Sequence, residues 1–88
     1  MVRKEFYAYG RVQGVGFRFY IATLASSHNL TGFAKNLTDG GVQIQLQGEI
    51  LNIEKVKSII LKPYRFILVD NLYETEIPVT KETGFSIL

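Results

Sequence analysis

Apolar residues alternate with polar ones over residues 2–12, then recur at helical spacing from Phe17, and only a short run holding Gly14 and Gly16 separates the two patterns. No single element satisfies both periods. Side chains repeat every second residue on a strand face and every third or fourth on a helix face. Phe6, Ala8, Gly10 and Val12 fall on one side of the first segment, with Tyr7, Tyr9 and Arg11 on the other, which predicts a strand with one core face. Phe17, Tyr20, Ile21, Leu24 and His28 form one stripe, which predicts a helix over about residues 17–28. The chain must therefore turn through a loop at residues 13–16.

The remaining elements follow from similar signals. Asn29 tolerates the left-handed conformation that often closes a helix, and Leu30 can then fold back on the last turn. Residues 30–37 read as a second strand. Asp39-Gly40 reads as the centre of a type I′ hairpin turn, with positive φ at both positions. In the third strand Val42, Ile44 and Leu46 alternate with Gln43, Gln45 and Gln47, giving one buried and one solvated face, and Gly48 ends it. Asn52 is the expected N-cap of a second helix whose stripe is Ile53, Val56 and Ile60, and Pro63 blocks its continuation. Residues 65–73 read as a fourth strand and residues 85–88 as a short fifth strand at an edge. The order strand, helix, strand, strand, helix, strand predicts an α+β, ferredoxin-like βαββαβ sandwich. Its sheet is four antiparallel strands plus the short fifth edge strand, with two helices on one face. The chain of 88 residues is read as a single domain, residues 1–88.

Composition narrows the chemistry. There is no cysteine, so disulfides, thiolate metal sites and a cysteine nucleophile are excluded. The fold must hold by packing, which fits a reducing cytoplasm. With one histidine, a transition-metal site built from protein ligands is not expected. A formal charge of +2 gives no overall bias toward nucleic acid or an anionic membrane. No apolar stretch resembles a signal peptide or a membrane span. No large apolar face is left unexplained, so a monomer is expected.

The segment Gly10-Arg11-Val12-Gln13-Gly14-Val15-Gly16-Phe17-Arg18 joins the first strand to the first helix. Glycines let the backbone curl, and a curled backbone at a helix N-terminus gathers N–H groups into an anion-binding concavity. Arg18, in the first helical turn, can add paired charge-assisted bonds to phosphate oxygens. The glycines do not fall as a Walker loop or a dinucleotide fingerprint. On the residues alone, an oxyanion cradle and a plain tight turn with an exposed arginine stand about equal.

That nine-residue string closely resembles a signature of the acylphosphatase family. A second string, Gly32-Phe33-Ala34-Lys35-Asn36-Leu37-Thr38-Asp39-Gly40-Gly41-Val42, resembles the family's other signature at the expected distance downstream. The resemblance spans the chain and carries the same element order. It implies a hydrolase that splits the carboxyl-phosphate anhydride of acyl phosphates without metal or cofactor. By position, the family's phosphate-binding arginine matches Arg18 and its water-orienting asparagine matches Asn36. The amides of Gln13, Gly14, Val15, Gly16 and Phe17 match the loop that holds the substrate's phosphoryl group, inorganic phosphate or a similar oxyanion. The implied partner is a small acyl phosphate, with no nucleic acid and no membrane. The chain departs from the family at Gly16, where many members carry a bulky aromatic. It also departs at residues 61–66, where a longer glycine-proline turn is usual, and at the helix end, where Asn29 stands in for glycine.

Other polar residues read as structural. His28 near a helix end is expected to pack or cap rather than act as a base. Arg11 and Lys35 are expected on solvated faces, Lys35 opposite Asn36. The same fold order also serves RNA-binding modules that stack bases on sheet aromatics. Here Tyr7 and Tyr9 would have to serve, while the third strand, where such modules carry their aromatic string, displays glutamines. A third reading keeps the cradle without catalysis.

Overall fold

The computed structural model describes residues 1–88. The elements are β1 (Val2–Arg11), α1 (Phe17–Ser27), β2 (Thr31–Asn36), β3 (Val42–Gly48), α2 (Ile50–Ile60), β4 (Leu68–Ile77) and β5 (Phe85–Ile87). The five strands form one sheet in the order β4-β1-β3-β2-β5. The first four are antiparallel neighbours, in registers that set Phe6 against Ile44 and Ala34 against Ile44. β5 adds to the β2 edge in parallel, pairing Gly32 with Phe85. This is the ferredoxin-like arrangement with a short fifth edge strand.

Alternation explains where the core sits. Phe6 and Ala8 of β1, Ala34 of β2, and Val42, Ile44 and Leu46 of β3 all point to one face and are completely buried. Phe17, Ile21 and Ala25 of α1 and Ile53, Val56 and Ile60 of α2 close over them in a single cluster. Burying each large side chain of this set contributes about 1.5–3 kcal/mol relative to exposure. Ala25 was not among the expected stripe residues. It is as fully buried as Ile21, while Tyr20 and Leu24 are only half-buried.

The end of α1 closes as the sequence suggests. Asn29 takes φ 56°. The N–H of Leu30 then donates to the carbonyl of Ala25 at 2.9 Å, and that of Asn29 to Ser26 at 3.5 Å, the paired bonds of a Schellman motif. Leu30 returns to the core.

Four expectations need correction. The hairpin between β2 and β3 is present, but it is not a type I′ turn. Positive φ falls on Gly40 (94°) and not on Asp39. The N–H of Gly40 donates to Leu37 at 3.3 Å, and the N–H of Leu37 donates to Gly41 at 2.8 Å. This is the pattern of a turn through Thr38 and Asp39 closed by a glycine bulge. Asp39 is instead held by its side chain, which accepts from the Gly41 N–H at 3.0 Å.

Helix α2 begins three residues earlier than expected, with Glu49 rather than Asn52 at the N-cap and no side-chain cap. The Glu49 carbonyl already accepts from the N–H groups of Asn52 and Ile53, so Asn52 lies inside the first turn. Strand β4 starts at Leu68, not Arg65. Tyr64 and Ile67 exchange backbone hydrogen bonds at 3.2 and 2.9 Å, and a tight turn through Arg65 at φ 55° takes up the preceding residues. The glutamine row is not a solvated face. Gln47 is buried, and Gln43 and Gln45 both donate to Glu5, at 2.9 and 2.6 Å.

Candidate active site

The loop between β1 and α1 turns on two glycines. Gly14 has φ 73° and Gly16 φ 79°, the left-handed region that other residues enter only with strain. A Cβ built on either would meet nothing within 4 Å, so glycine supplies conformation there and not room. Gly16 is the N-cap of α1, and no side chain caps the helix. Its carbonyl takes the N–H of Tyr20 at 3.0 Å as the first helical bond. The N–H groups of Gln13, Gly14, Val15, Gly16 and Phe17 have no backbone acceptor within the protein. They are unpaired donors at the positive end of a helix, and no acidic residue in the first turn offsets them.

Arg18 sits in that first turn, and its guanidinium is fixed from the far end of the chain. Nη1 donates to the main-chain oxygen of Leu88 at 2.7 Å. Leu88 is itself held by its N–H, which donates to the Ala34 carbonyl at 2.9 Å. Asn36 comes from the end of β2, on the same face as Ala34, with exposed Lys35 turned to the other side. The Asn36 Oδ1 atom is buried and has no hydrogen-bond partner.

These residues meet at one cavity of about 240 Å³, lined by Gly14, Gly16, Phe17, Arg18 and Asn36 together with Val12, Phe19 and Ile87. Of the sequence-predicted site residues, Gln13 and Val15 do not line it. Val15 turns to a neighbouring groove. Gln13 has a role the sequence reading missed: its Nε2 donates to the carbonyls of Leu37 and Gly41, both at 2.8 Å, tying the loop to the β2–β3 hairpin. The hairpin is further secured by Tyr9, whose hydroxyl donates to Asp39 at 2.8 Å. The Gly41 N–H and then this hydroxyl hold the Asp39 carboxyl below its ordinary range. Ile87 and Leu88 were also missed. They reach the site only through the pairing of β5 with β2, for which the sequence near Arg18 offers no signal.

Arg18 is the only titratable side chain lining the cavity. His28 lies at the other end of α1, where its Nδ1 bonds the Leu24 carbonyl at 2.7 Å, which requires a proton on that nitrogen. The arrangement therefore offers fixed donors, one cation and one neutral carboxamide. Such a set suits binding a tetrahedral anion and orienting a small nucleophile, and it does not suit removing a proton.

The acylphosphatase family model matches residues 4–87 of the chain. A Clostridium perfringens protein named acylphosphatase is 48% identical over 87 residues, which cover 98% of each chain. A crystal structure of acylphosphatase from Bacillus subtilis matches the fold with a TM-score of 0.95 at 30% identity, covering 100% of this chain and 99% of that one. The structure of an acylphosphatase from Coxiella burnetii matches with a TM-score of 0.92 at 29% identity, covering 99% and 92% respectively.

Proposed function

The chain belongs to the acylphosphatase family, and on that premise we propose that it hydrolyses acyl phosphates by water attack at phosphorus inside the cavity of Arg18 and Asn36. The substrate's phosphoryl group lies against the N–H groups of Gln13, Gly14, Val15, Gly16 and Phe17, and Arg18 pairs with its oxygens. The Asn36 carboxamide hydrogen-bonds the attacking water and aims it. A bond forms from the water oxygen to phosphorus. The bond from phosphorus to the acyl oxygen breaks, and its electron pair leaves with the carboxylate. A water proton passes to a phosphoryl oxygen, giving inorganic phosphate.

The chemistry agrees with so sparse a site. A carboxylate leaves without being protonated first, so no acid is needed. Phosphoryl transfer then depends chiefly on position and on charge stabilisation. The observation that carries the reading is that Asn36, the Arg18 cation and the loop glycines line one cavity. Inorganic phosphate is a competitive ligand of the loop in this reading. The working unit is a single chain, since one chain supplies every group invoked. The compartment is the cytoplasm, which a chain without cysteine suits.

Steady-state kinetics on benzoyl phosphate test it. Arg18→Ala is expected to lower kcat/KM by at least about 10²–10³-fold, the usual loss for one donor at a developing charge. Asn36→Ala is expected to lower kcat while leaving KM and inhibition by phosphate nearly as they are. A variant that binds phosphate poorly yet turns over normally at saturation would contradict the water-orienting role.

A further inference from the structure

Beside the cavity lies a second, larger groove of about 480 Å³, lined by Val15, Phe19, Tyr20, Tyr64 and Arg65 among others. Gly16 and Phe19 belong to both linings, so the two spaces share a wall. Phe19 is 71% exposed although it directly follows Arg18. Across the groove the rings of Tyr20 and Tyr64 stack with centroids 4.6 Å apart and planes 7° from parallel. The Arg65 guanidinium lies over the Tyr64 ring, 5.3 Å from its centroid.

Arg65 is unusual on two counts. Its backbone sits at φ 55°, where glycine fits freely and a long side chain does not. Its charge has no carboxylate partner among the ion pairs of the protein and makes no side-chain hydrogen bond to it. Strained residues persist where surroundings hold them, and they gather at ligand sites. A stacked tyrosine pair fixes the turn through Arg65, and the turn presents an unpaired cation to a groove continuous with the cavity.

We propose that this groove is the acyl-group subsite, and that it selects acyl phosphates whose acyl portion is apolar next to the anhydride and negatively charged at its far end. Phe19, at the shared wall, packs against the apolar part. Arg65, which lines the groove but not the cavity, meets the distal anion. The assignment rests on the hydrolytic reading above.

The test compares 4-carboxybenzoyl phosphate with acetyl phosphate as the ratio of their kcat/KM values, in the wild type, Phe19→Ala and Arg65→Gly. Both side chains are exposed, and glycine relieves the φ at position 65. Both variants should therefore fold. The ratio is expected to fall by about three- to tenfold in Phe19→Ala, the range of an aromatic contact. In Arg65→Gly it is expected to fall by about threefold, as for an exposed ion pair, and that difference should shrink as salt is raised. A ratio unchanged in either variant overturns the subsite. A wild type that hydrolyses neither compound would instead overturn the hydrolytic reading itself.

Discussion

Arg18 and Asn36 reach the same cavity from different elements, one from the first turn of α1 and the other from the end of β2. Both were named from the sequence, Arg18 from the loop and helical turn that carry it and Asn36 from a string that resembles a family signature. The partners that hold the site were not. Arg18 is fixed by a residue 70 positions away, and nothing in the local pattern announces that contact. Gln13 was read only for its amide, yet its side chain bridges two carbonyls of the hairpin that carries Asn36. Gln13→Ala should therefore cost about 1–3 kcal/mol, two hydrogen bonds at the usual net value, in urea unfolding. It should also lower kcat/KM, because the loop and Asn36 would no longer be held in register. A loss of stability with kinetics untouched would mean that the clamp serves folding alone.

At the scale of elements, periodicity found every helix and strand, and the errors lie where turn chemistry decides. Residues 65–67 look like strand by composition, but an arginine at positive φ turns the chain back before β4 begins. Asp39 was expected to accept a left-handed backbone, and the hairpin instead puts that demand on Gly40. Asn29 is the contrary case, since its conformation follows from its residue type. Replacing it with glycine should stabilise the protein by up to about 1 kcal/mol, because glycine enters that region without the steric penalty of a Cβ. Asn29→Val should destabilise it by about 1–2 kcal/mol. Midpoints of urea denaturation, with the slope unchanged, check both. Equal midpoints would show that the Schellman closure is not limiting.

At the scale of the molecule, the sheet face away from the helices carries a polar network in place of the solvated surface expected there. Arg3, 4% exposed, donates to Gln45, Gln47 and Glu82, and the guanidinium reaches Glu82 at 2.6 Å. Gln47 exchanges two hydrogen bonds with Thr80, at 2.7 and 2.9 Å. Residues 78–84 are thereby strapped across the sheet from β4 toward β5, the strand that delivers Ile87 to the cavity and is followed by Leu88, the partner of Arg18. The alternating glutamines gave no hint of this, because their partners come from both ends of the sequence.

Paired carboxylates on both faces of the sheet set an acid limit. Hydrogen bonding from Arg3 holds Glu82 below its ordinary value of 4.5, and Lys57 and then Lys4 do the same for Glu74. A carboxyl with a lowered pKa in the folded state contributes stability that is fully present above its unfolded pKa. That contribution is lost as pH falls through the folded pKa. Unfolding free energy should therefore decline below about pH 4.5. Glu82→Gln and Glu74→Gln should each start less stable at neutral pH and decline less steeply. Parallel curves for wild type and variants would show that other groups control acid unfolding.

The central claim is that water attacks phosphorus in the cavity of Arg18 and Asn36. Hydrolysis of benzoyl phosphate in water enriched in oxygen-18 tests it most directly, with both products read by mass spectrometry. Label in inorganic phosphate and none in benzoate is the predicted result, since the bond from phosphorus to the acyl oxygen is the one that breaks. Label in benzoate would mean that water attacks the carbonyl carbon instead, and the roles given to the loop, Arg18 and Asn36 would be wrong.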